Sequence, residues 1–401
     1  MRACMVAYTG YESDNRVRRY AESLAARGYS VDAVALRTDG LPRQDVLNGV
    51  RVVRIQRRVR DEKSKFSYLA KLLLFLVRSM LFLTREHFHE PYDLIHIHSV
   101  PDFEVFAAIV PKLMGAKIIL DIHDIVPEFY ACKFAASQNS LVFKLLVAME
   151  RLSTAFADHV IASNHIWQKR LQQRSVPESK VTTILNFPDT KVFQPKGVGQ
   201  NDGNFILLYP GTLTYHQGLD IAIRAFSIIK AQVPEAQFHI YGSGDQSEFL
   251  KALVAQLALE DRVFFKGTLA VEQMVGVIEN ADLGIVPKRS NGFGNEAFST
   301  KILEFMAMGV PVIISDTAVD TYYFDDSIAR FFRANDENSL ADAMLLMIKN
   351  AAVRDSLAHR ASVFVRKYTW GVNQHLYLDL VDSLLRSHND RGAARILKST
   401  N

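Results

Sequence analysis

Residues 296–315 read EAFSTKILEFMAMGVPVIIS. Two carboxylates, Glu296 and Glu304, stand eight residues apart, and a helix start lies between them at Ser299 or Thr300, side chains of the kind that cap helices. Gly309 marks the end of that helix, Pro311 prevents its resumption, and the apolar run that follows is a short strand. A helix, a tight turn and a strand in this order are part of a βαβ unit, so the stretch predicts a parallel α/β sheet.

The same alternation recurs on the way back to the N-terminus. The runs FILLYP, QFHIYG, VFFKG and LGIVP alternate with helical-period stretches such as 218–232 and 247–259. A first series, CMVAYT, YSVDAVAL, VRVVRI, DLIHIHS, KIILDIH and HVIAS, contains an early helix over 15–27, with Asp14 as its N-cap and Gly28 as its stop. Between the two series, 188–204 holds Pro188, Pro195, Gly197, Gly199 and Gly203 without periodicity and reads as a linker. At 401 residues the chain exceeds what one core usually organises. The expectation is therefore two tandem, Rossmann-like, doubly wound domains, 1–190 and 204–372, whose sheets present their carboxyl ends to an interdomain cleft where donor and acceptor meet. An amphipathic stretch within 373–388 is expected to return to the first domain.

Hydrophobic residues make up 49% and charged residues 22%, which excludes a disordered chain. The only cysteines, Cys4 and Cys132, form neither a CxxC nor a zinc-type cluster, so a disulfide framework and a structural metal are not expected and a reducing cytoplasm fits. Met1–Thr9 lacks the pattern of a signal peptide and reads as the first strand. Net charge is only +4. Residues 51–85, however, hold ten basic and two acidic residues, interleaved with an apolar run over 69–83 that only Lys71 and Arg78 interrupt. That run is too short and too charged to span a bilayer comfortably, so a basic amphipathic helix at an anionic membrane surface, about 63–85, is expected. A buried helix or a dimer surface is the alternative. No aromatic-and-basic interleaving accompanies it, so nucleic acid is not the expected anion.

Three further stretches carry chemistry. YPGTLTYHQGLDIAIRAF, 209–226, is a strand, a loop with Gly211 and Gly218, and a helix, a layout in which backbone amides can approach an anion. IYGSGD, 240–245, brings Gly242 and Gly244 to a strand end. ILDIHDIVPEFY, 119–130, ends an apolar strand at His123. No GxGxxG stands in a suitable context, which disfavours an NAD-type oxidoreductase. His96 and His98 are expected on alternate faces of their strand, as structural residues, and no metal site is expected.

The Glu296–Glu304 spacing, with HQG before it and GVPV after it, closely resembles the E-x7-E motif of glycosyltransferase family 4, and the resemblance runs from the first βα unit to Trp370. It implies the GT-B fold and a retaining, metal-independent transfer from a UDP- or GDP-sugar, with no cofactor beyond that donor. A subgroup with a similar GTL-x-x-HQGLD stretch builds exopolysaccharides, which implies a lipid-linked (polyprenyl diphosphate) saccharide acceptor and a cytoplasmic, peripheral location at the inner face of the plasma membrane. Carried over by motif, His123 and Glu296 reach the transferred sugar, Glu304 the ribose, and Lys301 the diphosphate, with Phe298, Ser299 and Thr300 around them. Thr212 and Gln217 stand where many members have Arg and Lys, and Lys288 is expected to compensate. The loop TGYESDNRVRR places Asp14, Asn15 and Arg16 on the acceptor side, with Glu128 as a further candidate, although Asp14 is equally readable as a plain helix cap and Glu128 as surface. A nucleotide-sugar epimerase of similar fold and a non-catalytic scaffold binding nucleotide sugar or lipid-linked saccharide are the competing readings.

Overall fold

The computed structural model describes residues 1–57, 65–134, 137–195 and 203–399. It divides into two compact units, Met1–Asn186 with the chain from Gln374 onward, and Phe187–Asn373. Lys63, at the start of the basic segment, and residues 196–202 of the expected linker lie outside the described residues.

The first unit is built on eight strands: β1 (Arg2–Ala7), β2 (Ser30–Arg37), β3 (Gln44–Leu47), β4 (Val50–Arg57), β5 (Leu94–His98), β6 (Lys117–Ile122), β7 (His159–Ala162) and β8 (Val181–Thr183). Their order is β3-β4-β2-β1-β5-β6-β7-β8, parallel throughout except for the β3–β4 hairpin at one edge. Parallel neighbours need crossovers, which here include α1 (Asn15–Ala26), α2 (Lys65–His89), α3 (Ile109–Leu113), α4 (Val126–Phe134), α5 (Leu141–Phe156) and α6 (His165–Arg174). With both faces covered, central β1 is buried at every position, which is why RACMVA shows no alternation apart from Arg2. The strand order reverses between β1 and β5, the kind of switch point at which open α/β sheets bind ligands. Asp14 caps α1, accepting from the amides of Arg16 and Val17 at 3.1 and 3.2 Å.

The second unit has β9 (Phe205–Pro210), β10 (Ala236–Tyr241), β11 (Val263–Phe265), β12 (Leu283–Val286), β13 (Val312–Ser315) and β14 (Arg330–Phe332), all parallel, in the order β11-β10-β9-β12-β13-β14. Its switch point lies between β9 and β12. The helices are α7 (Leu219–Ile229), α8 (Ser247–Gln256), α9 (Val271–Glu279), α10 (Thr300–Ala307), α11 (Ala318–Tyr323), α12 (Glu337–Lys349), α13 (Ala351–Val365) and α14 (Trp370–Ser399), of which the last continues into the first unit. Residues 296–315 form the approach to α10, α10 itself, a left-handed Gly309 and β13. Phe187 and Phe193, at the head of the linker, are buried in this unit.

Within the first unit Tyr377 of α14 is fully buried, its ring 4.3 Å from that of Tyr20 and its hydroxyl 3.0 Å from Nδ1 of His96. The stretch expected to return to the first domain thus contributes core side chains to this unit.

Candidate functional site

In the second unit, the loop after β9 and the start of α10 both lie at carboxyl ends of strands beside the switch point. The loop is locked onto its neighbour: Gly211 N–H donates to Tyr241 O at 2.8 Å, and Leu213 N–H to Ser243 O at 3.0 Å. Gly242 sits at φ +137°, where a Cβ would fall 1.7 Å from Gly211 O, and a Cβ on Gly244 would fall 2.2 Å from Leu213 O. These two glycines therefore serve the contact between the two loops. The amides of Gly211 and Leu213 are thus bonded inside the protein and are not available to an anion.

Lys301, in the first turn of α10, is half-buried. Its Cε occupies the space above Gly211, where a Cβ would stand 2.2 Å away. Nζ lies 3.4 Å from Oε1 of Gln217 and 5.4 Å above the ring of Tyr209. Burial lowers its pKa to about 8, with Glu304 opposing and Lys288 adding to the fall. At neutral pH the ammonium is charged, partly dehydrated and bonded to a neutral amide. Gln217 is further held by the Tyr209 hydroxyl at 3.1 Å, while Thr212 is exposed. His216, beside Gln217 at 3.0 Å, is driven to a pKa of about 4 by burial and the two lysines, so it is neutral.

Lys288 does not share this role. It is 1% exposed, and Nζ donates to Ala297 O at 2.7 Å and to both oxygens of Asp320 at 2.9 and 3.0 Å. With its donors engaged and its charge matched by a buried carboxylate, it fixes the 297 backbone and cannot serve as the expected compensating cation. Ser299 occupies the N-cap of α10 without making a capping bond, and its hydroxyl is buried with no partner. Thr300 is the first helical residue, and Phe298 packs edge-on against Tyr323 at 5.0 Å. Glu296 and Glu304 are half-buried on either side of the helix start.

In the first unit, a cavity of about 340 Å³ opens at the ends of β1, β5 and β6, lined by Tyr8, Thr9, Asp14, His98, His123 and Phe129 among others. His123 Nε2 lies 3.2 Å from Oδ2 of Asp121 and 3.1 Å from Nδ1 of His98. Burial opposes charge on Asp121, yet Arg16 and then His123 hold its carboxyl well below the usual range. Arg16 grips both oxygens, at 2.7 and 2.8 Å. His96 and His98 are pushed down by burial and are neutral.

Three expectations change here. His96 and His98, two residues apart on a strand of period two, share a face, and their rings stack at 4.1 Å. Arg16 is 4% exposed and committed to Asp121, so it braces the cavity and is not presented to an acceptor. Glu128, 8% exposed, is held by Arg174 at 2.6 Å and Arg170 at 3.2 Å, which leaves it neither surface nor free for an acceptor. Of the loop residues, Asp14 faces the cavity while capping α1, and Asn15 is half-buried at its first position. Finally, His96, His98 and Asp121 bring ligand-type atoms within 4.8 Å of one another. The guanidinium already on Asp121 repels a second cation, so a hydrogen-bonded brace for His123 accounts for the group better than a metal centre does. Asp121, Tyr209 and Tyr377 carry no site signal in the sequence, and His98 reads there only as a structural residue. The period-two spacing from His96 was the one available signal for His98.

Residues 191–364 match the family model described as glycosyl transferases group 1, and residues 13–186 match the glycosyl transferase 4-like domain. An uncharacterized glycosyltransferase of Methanocaldococcus jannaschii is 28% identical over 307 residues, 74% of each chain. The amylovoran biosynthesis glycosyltransferase AmsK of Erwinia amylovora is 26% identical, over 56% of this chain and 55% of its own. Among solved structures, a sucrose-phosphate synthase from Thermosynechococcus elongatus superposes with a TM-score of 0.81 at 20% identity, covering 96% of this chain and 99% of that one. HepE of Anabaena, solved in complex with UDP-glucose, superposes at 0.68 with 16% identity, covering 98% and 100%. With one family model on each unit and this fold throughout, the chain belongs to glycosyltransferase family 4 and is a GT-B glycosyltransferase.

Proposed function

We propose that this glycosyltransferase moves a sugar, with retention at the anomeric carbon, from a UDP- or GDP-sugar to a lipid-linked (polyprenyl diphosphate) saccharide at the cytoplasmic face of the membrane, in the assembly of a surface polysaccharide. The observation that carries the donor half is Lys301, a charged, half-buried ammonium at a helix start whose hydrogen-bond partner on the neighbouring loop is a neutral amide. Such a cation suits a departing diphosphate, where negative charge accumulates as the glycosidic bond breaks. Glu304 accepts from the ribose hydroxyls and Glu296 from the transferred sugar, and the family resemblance makes His123 a further contact to that sugar. In this reading the leaving phosphate itself takes the acceptor proton on the same face. The reaction needs no cofactor beyond the donor and no divalent ion, because Lys301 and the α10 terminus supply the positive field. UDP-glucose bound to HepE and the polysaccharide named for AmsK support the donor and acceptor classes.

Thermal shift with a panel of UDP- and GDP-sugars tests the donor, since a ligand at 100 times its Kd stabilises by about 2.7 kcal/mol. No shift with any of them removes the proposal. Product analysis with a polyprenyl-linked saccharide tests the transfer, and an epimerised free nucleotide sugar as sole product would favour the epimerase.

A further inference from the structure

Helix α2 is more apolar than its unit requires. Leu72, Phe75 and Leu83 are buried in the core of the first unit, while Leu69, Leu73, Leu74, Val77 and Leu81 are exposed on the same helix. A helix that is apolar on both sides calls for a cover. By length and composition alone, residues 67–89 could cross a bilayer, at a mean hydropathy of 1.6, but the buried face is already committed to the domain. Helix α3, packed beside α2, adds exposed Ile109, Leu113 and Met114.

The charge of 51–85 is not spread along this helix. Arg51 is paired with Asp32 at 2.7 Å and Glu86 at 2.6 Å, Arg54 with Glu12, and Arg85 with Glu86 at 2.7 Å. Arg57 and Arg78 of this stretch instead join Arg37 and Arg43 beside α2, in an open groove of about 880 Å³ that Arg54 and Leu81, among others, also line. Among the described residues no carboxylate pairs with Arg37, Arg43, Arg57 or Arg78, and Arg78 reaches only Ile55 O, at 3.3 Å. Four unmatched guanidinium groups around one concavity repel one another, and their forked donors fit phosphate oxygens.

We infer that this groove holds the phosphate headgroups of anionic lipids, while the exposed apolar faces of α2 and α3 enter the bilayer surface. The inference takes its setting from the lipid-linked acceptor proposed above but concerns a separate site, remote in sequence from the residues assigned to the reaction. A second copy of the chain is a poorer cover. A two-fold interface sets each patch against itself, so the same unmatched arginines would meet across it. An anionic surface answers both the apolar face and the charge.

Co-sedimentation of the full chain with phosphatidylcholine vesicles, with and without phosphatidylglycerol, tests this. Each arginine is expected to contribute about fivefold to affinity for the anionic vesicles, so Arg57→Gln with Arg78→Gln weakens it by about 25-fold. The Arg57→Lys, Arg78→Lys pair retains most of the binding, and Leu73→Ser with Leu74→Ser lowers it for both vesicle types. The thermal shift induced by UDP or GDP, whichever the wild type answers to, does not depend on the groove, is expected to be unchanged in every variant and certifies folding. Equal binding of wild type and the Gln pair overturns the inference. So does saturable binding of soluble glycerophosphate without any preference for anionic vesicles, or a dimer in ultracentrifugation with no vesicle binding. Absence of a shift with both UDP and GDP in the wild type would count against the donor reading and leave the groove untouched.

Discussion

Replacing Lys301 by Ala removes the one ammonium that stands over Gly211 and Gln217. Loss of one preorganised group that stabilises a developing anion costs about 10²- to 10³-fold in kcat, or about 3 to 4 kcal/mol. The structure adds a pH signature. Burial sets the Lys301 pKa at about 8 in the unliganded site, so in the free enzyme the useful charge is lost as pH rises through 8. Because kcat/KM reports the free enzyme, it is expected to fall above about pH 8. Once a diphosphate is bound, one negative charge about 4 Å away at an effective dielectric constant near 20 favours the ammonium by about 4 kcal/mol, which is about three pH units. The fall in kcat should then move beyond pH 10. Steady-state kinetics at saturating and limiting donor between pH 6 and 10 separate the two profiles. Lys301→Ala should lose the alkaline limb of kcat/KM along with its turnover, whereas Lys301→Arg recovers part of the rate, its charge being more diffuse. A folded alanine variant with kcat within about threefold of wild type, or with the alkaline limb intact, refutes the assignment.

Gly211→Ala is expected to reproduce much of that loss without removing the charge, because its Cβ would stand 2.2 Å from Lys301 Cε at a backbone φ of +154°; a crystal structure of the variant with an undisplaced lysine would count against this. Glu304→Ala should mainly raise KM for the donor and Glu296→Ala mainly lower kcat, because a ribose contact exists before and in the transition state whereas a contact to the reacting sugar changes along the path. Parallel kinetics with one donor decide between them. Activity is expected to survive EDTA, and complete loss restored by Mn²⁺ would disprove the metal-free reading. Burial lifts the carboxyl of fully buried Glu104 from 4.5 to about 8, so the folded state keeps a proton that the unfolded state has released, and stability falls as pH rises between those values. Glu104→Gln should therefore match wild type near pH 4.5 and exceed it by up to about 5 kcal/mol at pH 8, at about 1.4 kcal/mol per pH unit, as read by urea unfolding at the two pH values.

The parallel sheets and the α10 motif were legible because they rest on local signals: short apolar runs, a glycine after a helix, two carboxylates at fixed spacing. What sequence could not tell was which charges are free. Lys288 and Lys301 look alike on the page, and only Asp320, 32 residues away, disqualifies the first. Arg174 takes Glu128 out of reach from 46 residues on, and Glu12, Asp32 and Glu86 cancel arginines that made 51–85 look uniformly basic. Ion pairs across a fold follow its topology, which periodicity does not give. The histidine pair is a different case, since applying the strand period correctly would have placed His96 and His98 on one face.

The burial of Tyr377 against Tyr20 and His96 has a temporal side. On the ribosome the first unit emerges first, yet a core position between its first helix and β5 stays empty until residue 377 has been made. At about 5 to 20 residues per second, the wait after Asn186 is roughly 10 to 40 s. During that interval the second unit can finish while the first remains open around its own histidines. A nascent chain stalled before Gln374 would therefore present, in its oldest part, an apolar and imidazole-lined gap for chaperones or proteases to read.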